Sequence, residues 1–109
     1  MDNKEKLINF FDAENKRDWI TYRKFLSKDI IWELHSTQVE MINGIDNYLN
    51  TMIEAYQDSD DNFICESMYL NNEQSRIVAL LVNSCGKRSC DIFEFSDGLI
   101  IKEYEYILG

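Results

Sequence analysis

The sequence predicts an α+β domain, and three patterns carry that prediction. Apolar residues recur at helical three- and four-residue spacing through the first half of the chain. The second half alternates apolar and polar residues in four runs separated by turn-forming clusters, the pattern of an antiparallel meander. Helices therefore precede strands instead of alternating with them, which favours a helical layer on a sheet over a parallel α/β arrangement. At 109 residues, 45% of them apolar, the chain is expected to form one domain over 1–109 with a substantial core.

Leu7, Phe10, Phe11 and Glu14 set the stripe of a first helix over 3–16. A second helix is expected at 18–27, capped by Asp18 and turned inward through Trp19, Tyr22, Phe25 and Leu26. "DIIWELHS" at 29–36 reads as a short strand, since Ile30, Ile31, Trp32 and Leu34 are strand formers. Residues 36–44 read as a connection ending in Asn43-Gly44. Ile45, Tyr48, Leu49, Met52, Ile53 and Tyr56 fall at i, i+3, i+4, i+7, i+8 and i+11, which predicts a third helix. It should stop by Tyr56 or Gln57, because the aspartates of "QDSDDN" oppose the helix dipole at that end. Strands follow at 62–70, 75–85, 88–96 and 99–107, with turns at "NNEQ", "CGK" and "SDGL".

The register of the last hairpin decides which side chains share a face. A two-residue Asp97-Gly98 turn would pair Phe95 with Ile100 and Phe93 with Lys102. A glycine-bulge turn would pair Phe95 with Leu99, Phe93 with Ile101 and Asp91 with Glu103. The second matches apolar with apolar and is preferred. It groups Asp91, Phe93, Phe95, Leu99, Ile101, Glu103, Glu105 and Ile107 on one face, and Ile92, Glu94, Ile100, Lys102, Tyr104 and Tyr106 on the other.

A net charge of −9 and a pI near 4.4 repel phosphate backbones and anionic lipids, so no nucleic acid and no membrane partner is expected. The first residues lack a signal-peptide pattern and no apolar run is of spanning length, so a cytoplasmic protein is expected. Three cysteines fit that compartment. Cys65 reads as a buried thiol, and Cys85 and Cys90 are near enough to the predicted turn to face each other. One histidine and no C-x-x-C pair give no imidazole-rich or thiolate metal site, and no cofactor is expected. Nucleophile-elbow and phosphate-loop motifs are absent.

The order of elements, together with "FLSKDIIWEL", "INGIDNYLNTM" and "FEFSDGLIIKEYEY", resembles the NTF2-like superfamily over nearly the whole chain. Within it the resemblance is to the SnoaL-like domains, related to ketosteroid isomerases and polyketide cyclases. It implies a cystatin-like cone, with three N-terminal helices packed on a curved antiparallel sheet whose concave face holds a pocket. Homodimers are common in that superfamily, so a homodimer is implied here. The position of the isomerase general base falls on Leu34 and that of its oxyanion-binding tyrosine on Phe10. The position of its protonated aspartate falls on Asp91. Only one of the three groups is retained, which argues against steroid isomerase chemistry and leaves an acid/base role for Asp91.

Asp91 is the leading catalytic candidate. It precedes Ile92-Phe93 in an apolar strand, where burial would raise its pKa and Glu103 opposite would raise it further. The plain alternative is a solvated strand end or an ion pair with Arg88. Glu103 and Glu105 would extend the acidic group, either as a cation site or, more simply, as rim or solvent charges. Phe10, Tyr22, Trp32, Leu34, Met52, Tyr56 and Phe93 should line the pocket, since their stripes serve core and wall alike. His35 is a weaker catalytic candidate, because strand parity puts it and Glu33 opposite Trp32. The expected function is binding of a small apolar or aromatic molecule, with cofactor-independent isomerase, cyclase, dehydratase or hydrolase chemistry at Asp91. The alternative is a non-catalytic ligand-binding or regulatory homodimer. Ile92, Ile100, Tyr104 and Tyr106 are its expected association patch.

Overall fold

A computed structural model describes residues 1–109. Helices α1 (Asn3–Asn15), α2 (Trp19–Arg23) and α3 (Ile45–Ala55) pack on a six-stranded sheet. Its strands are β1 (Leu26–His35), β2 (Val39–Asn43), β3 (Phe63–Leu70), β4 (Arg76–Asn83), β5 (Arg88–Ser96) and β6 (Leu99–Ile107), in spatial order β2-β1-β6-β5-β4-β3. The four C-terminal strands form the expected antiparallel meander. The sheet is not antiparallel throughout, because β1 lies along β6 in the same direction. That single parallel pair puts Trp32 beside Glu103 and Leu34 beside Glu105.

Side-chain caps start the first two helices. Asp2 Oδ1 accepts from the Glu5 N–H at 2.9 Å, and Asp18 Oδ1 accepts from the Thr21 N–H at 3.2 Å. Gly44 precedes α3 with φ +88, a conformation that favours glycine. Both ends of α1 are tied to the far side of the sheet. Asn3 Nδ2 donates to the Gln74 carbonyl, and the Asn15 side chain exchanges two hydrogen bonds with the Phe63 backbone, at 2.9 and 3.0 Å. Between these ties Phe10 and Phe11 meet Phe93 edge-on, with centroids 6.1 and 5.6 Å away. The core runs on through Leu7, Tyr22, Ile30, Tyr48, Ile77 and Ile100, all fully buried.

Several expectations require correction. The second helix ends at Arg23, not near 27, because the Ile100 N–H donates to the Phe25 carbonyl at 2.9 Å and draws Leu26 into β1. Residues 39–43 form edge strand β2, although they were expected to be connection. Four of its five residues are exposed, so no burial alternation marks it, and it exists through backbone pairing with β1.

The last hairpin adopts neither predicted register. Asp97 and Gly98 take φ values of +51 and +75, giving a two-residue turn with Phe95 opposite Ile100. A bulge then skips Ile101, so Phe93 faces Glu103 and Asp91 faces Glu105. The bulge reverses the parity of β6 part-way. Ile100 points into the core at 0% exposure, Leu99 and Ile101 point out, and Glu103 still points in. Ile100 therefore leaves the expected association patch. The cysteines also differ from expectation. Cys65 is half-buried, and Cys90 pairs with Leu80 and does not face Cys85.

The bulge can be tested by truncation on either side of it. Ile100→Ala should destabilise by about 2–5 kcal/mol, whereas Ile101→Ala should stay within about 1 kcal/mol, as read by urea unfolding. Equal costs would place the bulge elsewhere.

Candidate functional site

Between the helices and the inner sheet face lies a cavity of about 360 Å³. Its walls are largely aromatic and aliphatic, with Phe10, Phe11, Trp32, Leu34, Met52 and Phe93 among them. Five carboxylic acids also line it: Asp61, which accepts from the Ser84 N–H, and the inner group of Glu14, Asp91, Glu103 and Glu105; Lys87 and Arg88 are the lining cations. Strand parity places three of the inner group. β5 turns Ser89, Asp91, Phe93 and Phe95 inward, and β6 turns Glu103 and Glu105 inward after its bulge. Glu14 reaches the cavity from the last turn of α1.

Carboxyl oxygens of Asp91, Glu103 and Glu105 lie within 4.8 Å of one another. Asp91 is 4% exposed and Glu103 3%. None of the inner four forms an ion pair; Arg88, the expected partner of Asp91, holds Glu66 at 2.9 Å. The spacing of the three would suit a divalent cation. These are the residues that could hold one, and only their spacing points to it.

Hydroxyl groups partner these acids instead. Ser89 Oγ donates to Asp91 Oδ1 at 2.6 Å. Tyr22 Oη donates to Glu14 Oε1 at 2.8 Å and Tyr56 Oη to Glu14 Oε2 at 2.5 Å. Tyr48 Oη hydrogen-bonds Glu103 Oε1, and the Tyr22 and Tyr48 hydroxyls are 3.3 Å apart. The Trp32 indole N–H is buried, and its nitrogen has no acceptor in hydrogen-bonding geometry.

Burial without ion pairs favours the neutral acids. It pushes Asp91 up to about 7 against hydrogen bonds from Ser89 and Glu103, so Glu103 lowers Asp91 and does not raise it as expected. Burial and then the Asp91 charge push Glu105 up to about 9. Glu103 is held well above the usual carboxyl range by burial, Asp91 and Glu105, and Glu14 is raised by burial alone, against Tyr56, Tyr22 and the Arg17 charge. Groups this close titrate as a set.

Solved structures resemble the chain over nearly its whole length. An NTF2-like protein of unknown function from Cytophaga hutchinsonii matches with a TM-score of 0.80 at 13% identity, over 99% of this chain and 91% of that one. A candidate ketosteroid isomerase from Kribbella flavida matches at 0.80 and 20%, over 98% and 78%. A candidate SnoaL-like polyketide cyclase from Shewanella putrefaciens matches at 0.79 and 14%, over 96% and 79%. The fold is NTF2-like. It is the cystatin-like α+β arrangement expected from the order of elements. No protein-family model and no curated protein matches the sequence.

Within the NTF2-like fold, Phe10, Trp32, Leu34, Met52, Tyr56, Phe93, Asp91 and Glu103 all border the cavity. Tyr22 does not. It is fully buried, stacked on Phe10 at 4.0 Å, and only its hydroxyl acts, on Glu14 and Tyr48. His35 lies away from the cavity and forms no pair with Asp91. Its Nε2 meets Glu33 Oε1 at 2.7 Å and its ring stacks on Tyr106, because regular parity keeps it on the outer face. Sequence reasoning missed Glu14 and Tyr48 as functional groups. Both fall on stripes that it read as core, and the available signal was an acid at a stripe position of α1, seven residues after Leu7.

The raised acids set the pH dependence of stability. Their unfolded values are about 3.9 for Asp and about 4.3 for Glu. Below these values both states hold the protons; between them and the folded values only the native state does, so stability falls as pH rises. The urea midpoint should therefore drop from about pH 4 through 7 to 9, the values reached by Asp91 and Glu105. Glu105→Gln should flatten the alkaline part of that fall; a flat profile in the native chain would mean that the acids are solvated.

Proposed function

We propose that the chain binds a small, largely apolar or aromatic molecule and carries out cofactor-independent acid/base chemistry on it, with Asp91 as the acid/base. One observation carries this reading: two buried carboxyl groups and a half-buried third converge on the aromatic wall of a cavity sized for a small molecule. Asp91 at about 7 is divided between acid and base at neutral pH, while Glu105 at about 9 is mostly the neutral acid. An ionised Asp91 can take a proton from a ligand carbon, and a neutral carboxyl can donate a hydrogen bond to the oxygen on which charge develops. The Trp32 N–H lies near the Glu105 carboxyl without meeting it in hydrogen-bonding geometry, so it can turn to an accepting oxygen that a ligand brings to this wall. Isomerisation, cyclisation, dehydration and hydrolysis all fit these groups. Two neighbours in fold are described as a candidate ketosteroid isomerase and a candidate polyketide cyclase, which agrees with this chemistry.

The second reading is a non-catalytic ligand-binding or regulatory dimer. Leu34 and Phe10 favour it, since both stand on the cavity wall with no proton to exchange. Deuterium exchange separates the two. Alicyclic and aryl ketones incubated with the protein in D2O should gain deuterium beside the carbonyl, and Asp91→Asn should slow this by about 10²–10⁴-fold. A ketone that binds without exchanging supports the binder, and exchange unchanged by Asp91→Asn removes Asp91 from the chemistry.

We place a homodimer contact on the outer sheet face, which no helix covers and which carries Ile64, Tyr69, Ile92, Tyr104 and Tyr106. Light scattering should report about twice the 12.9 kDa chain mass, and Tyr106→Lys should return it toward the monomer. A native monomer would remove the dimer from both readings.

A further inference from the structure

We propose that Glu14 and Glu103 share a single proton across the hydroxyls of Tyr22 and Tyr48, so that the cavity holds two exchangeable proton sites joined by a bridge. The inference comes from counting protons. Three links join the carboxyls: Glu14 Oε1 to Tyr22 Oη at 2.8 Å, Tyr22 Oη to Tyr48 Oη at 3.3 Å, and Tyr48 Oη to Glu103 Oε1. Each link needs one proton between its two oxygens. The tyrosines supply two, and burial together with the nearby carboxyls keeps both hydroxyls protonated. The third proton must come from a carboxyl group. With both acids ionised, the two hydroxyl oxygens face each other with no proton between them and two buried anions remain. With both protonated, four protons meet three links, and the extra one must leave the bridge, turned from Glu103 toward Asp91 or from Glu14 toward Tyr56, whose hydroxyl already donates there.

One carboxyl proton completes the bridge, and it does so in two ways. In the first, protonated Glu103 donates to Tyr48, Tyr48 to Tyr22, and Tyr22 to ionised Glu14, which also accepts from Tyr56 at 2.5 Å. In the second, protonated Glu14 donates to Tyr22, Tyr22 to Tyr48, and Tyr48 to ionised Glu103. The forms interconvert when three protons shift together, with three O–H bonds breaking and three forming. Glu14 is faced by Tyr22, Tyr56 and Arg17, and Glu103 by Tyr48, Asp91 and Glu105. The acidic neighbours of Glu103 favour the first form at rest, since they disfavour a charge on Glu103, and Arg17 helps Glu14 to carry it.

Both ends of the bridge border the cavity. If the acid/base reading above holds, the bridge allows a proton to be removed at one ligand position and replaced at another. Asp91 takes a proton as a ligand C–H bond breaks and the electron pair passes into the ligand's conjugated system. The shared proton crosses from Glu103 to Glu14, and Glu14 gives it to a distant ligand carbon, where a new C–H bond forms. Asp91 then returns its proton to Glu103. Ligand and protein each gain and lose one proton, and no oxidant or reductant takes part. Glu14 is thereby the second proton-carrying residue of the site.

Carbon-13 NMR of chain labelled at glutamate Cδ tests the sharing without a ligand, with signals assigned through Glu14→Gln and Glu103→Gln. Near neutral pH the two signals should together report one proton; two fully acid signals or two fully carboxylate signals would overturn the proposal. Tyr48→Phe removes a hydroxyl that touches Tyr22 and Glu103 but not Glu14. It should still shift the Glu14 signal, and an unmoved Glu14 would also overturn the bridge. Tyr22→Phe, read at Glu103, gives the same test if Tyr48→Phe does not fold. Loss of deuterium exchange with one shared proton intact would instead count against the acid/base reading alone.

Discussion

The four inner carboxylic acids that border the cavity of this chain, three of them buried, form no salt bridge. A buried charge without a partner is costly, so the groups respond by keeping their protons and by collecting hydroxyl partners. That constraint explains why the hydrogen-bond partners of these acids are hydroxyls. Ser89 serves Asp91, Tyr22 and Tyr56 serve Glu14, and Tyr48 serves Glu103. The same bonds join elements that otherwise meet through apolar contacts. Glu14 of α1 is held by Tyr22 of α2 and by Tyr56 at the end of α3, and Tyr48 of α3 is held by Glu103 of β6. An arrangement that is expensive electrostatically thus also fixes where the helices sit on the sheet.

One extra residue in β6 makes this arrangement possible. Without the bulge at Ile101, burying Ile100 would turn Glu103 outward, and burying Glu103 would expose Ile100. With it, the strand places an isoleucine in the core near the turn and two acids in the cavity farther along. The parallel neighbour β1 then brings Trp32 and Leu34 alongside those acids. The aromatic wall and the acidic group therefore share one sheet face for a local reason.

The parts of the fold legible in the sequence were those with a strong period. The α3 stripe and the inward set of β5, Asp91, Phe93 and Phe95, followed directly from spacing. β2 was not legible, because an edge strand with exposed side chains carries no burial pattern, and its pairing depends on backbone groups common to every residue. The hairpin register was misread because matching apolar with apolar assumed a uniform strand, whereas the left-handed pair Asp97-Gly98 favoured the tight turn and a later bulge corrected the parity. Parity alone also separated His35 from Trp32. Glu14 shows the opposite failure. Its stripe position was visible, but its partners lie eight and forty-two residues further along, and only the folded chain brings them together.

Glu103 belongs to both polar systems, and this gives the site a direction. It sits in the three-acid group with Asp91 and Glu105, and it ends the tyrosine bridge to Glu14. While Asp91 is ionised, its charge disfavours a second charge on Glu103 and keeps the shared proton at that end. When Asp91 takes up a proton the repulsion disappears, an ionised Glu103 becomes less unfavourable, and the proton is freer to move toward Glu14. Accepting a proton at one end of the cavity therefore prepares the other end to donate one. The coupling needs no change of backbone and no exchange with solvent, only like charges held a few ångströms apart and largely buried. A strong opposing cation among the three acids would hold them all ionised and remove that response.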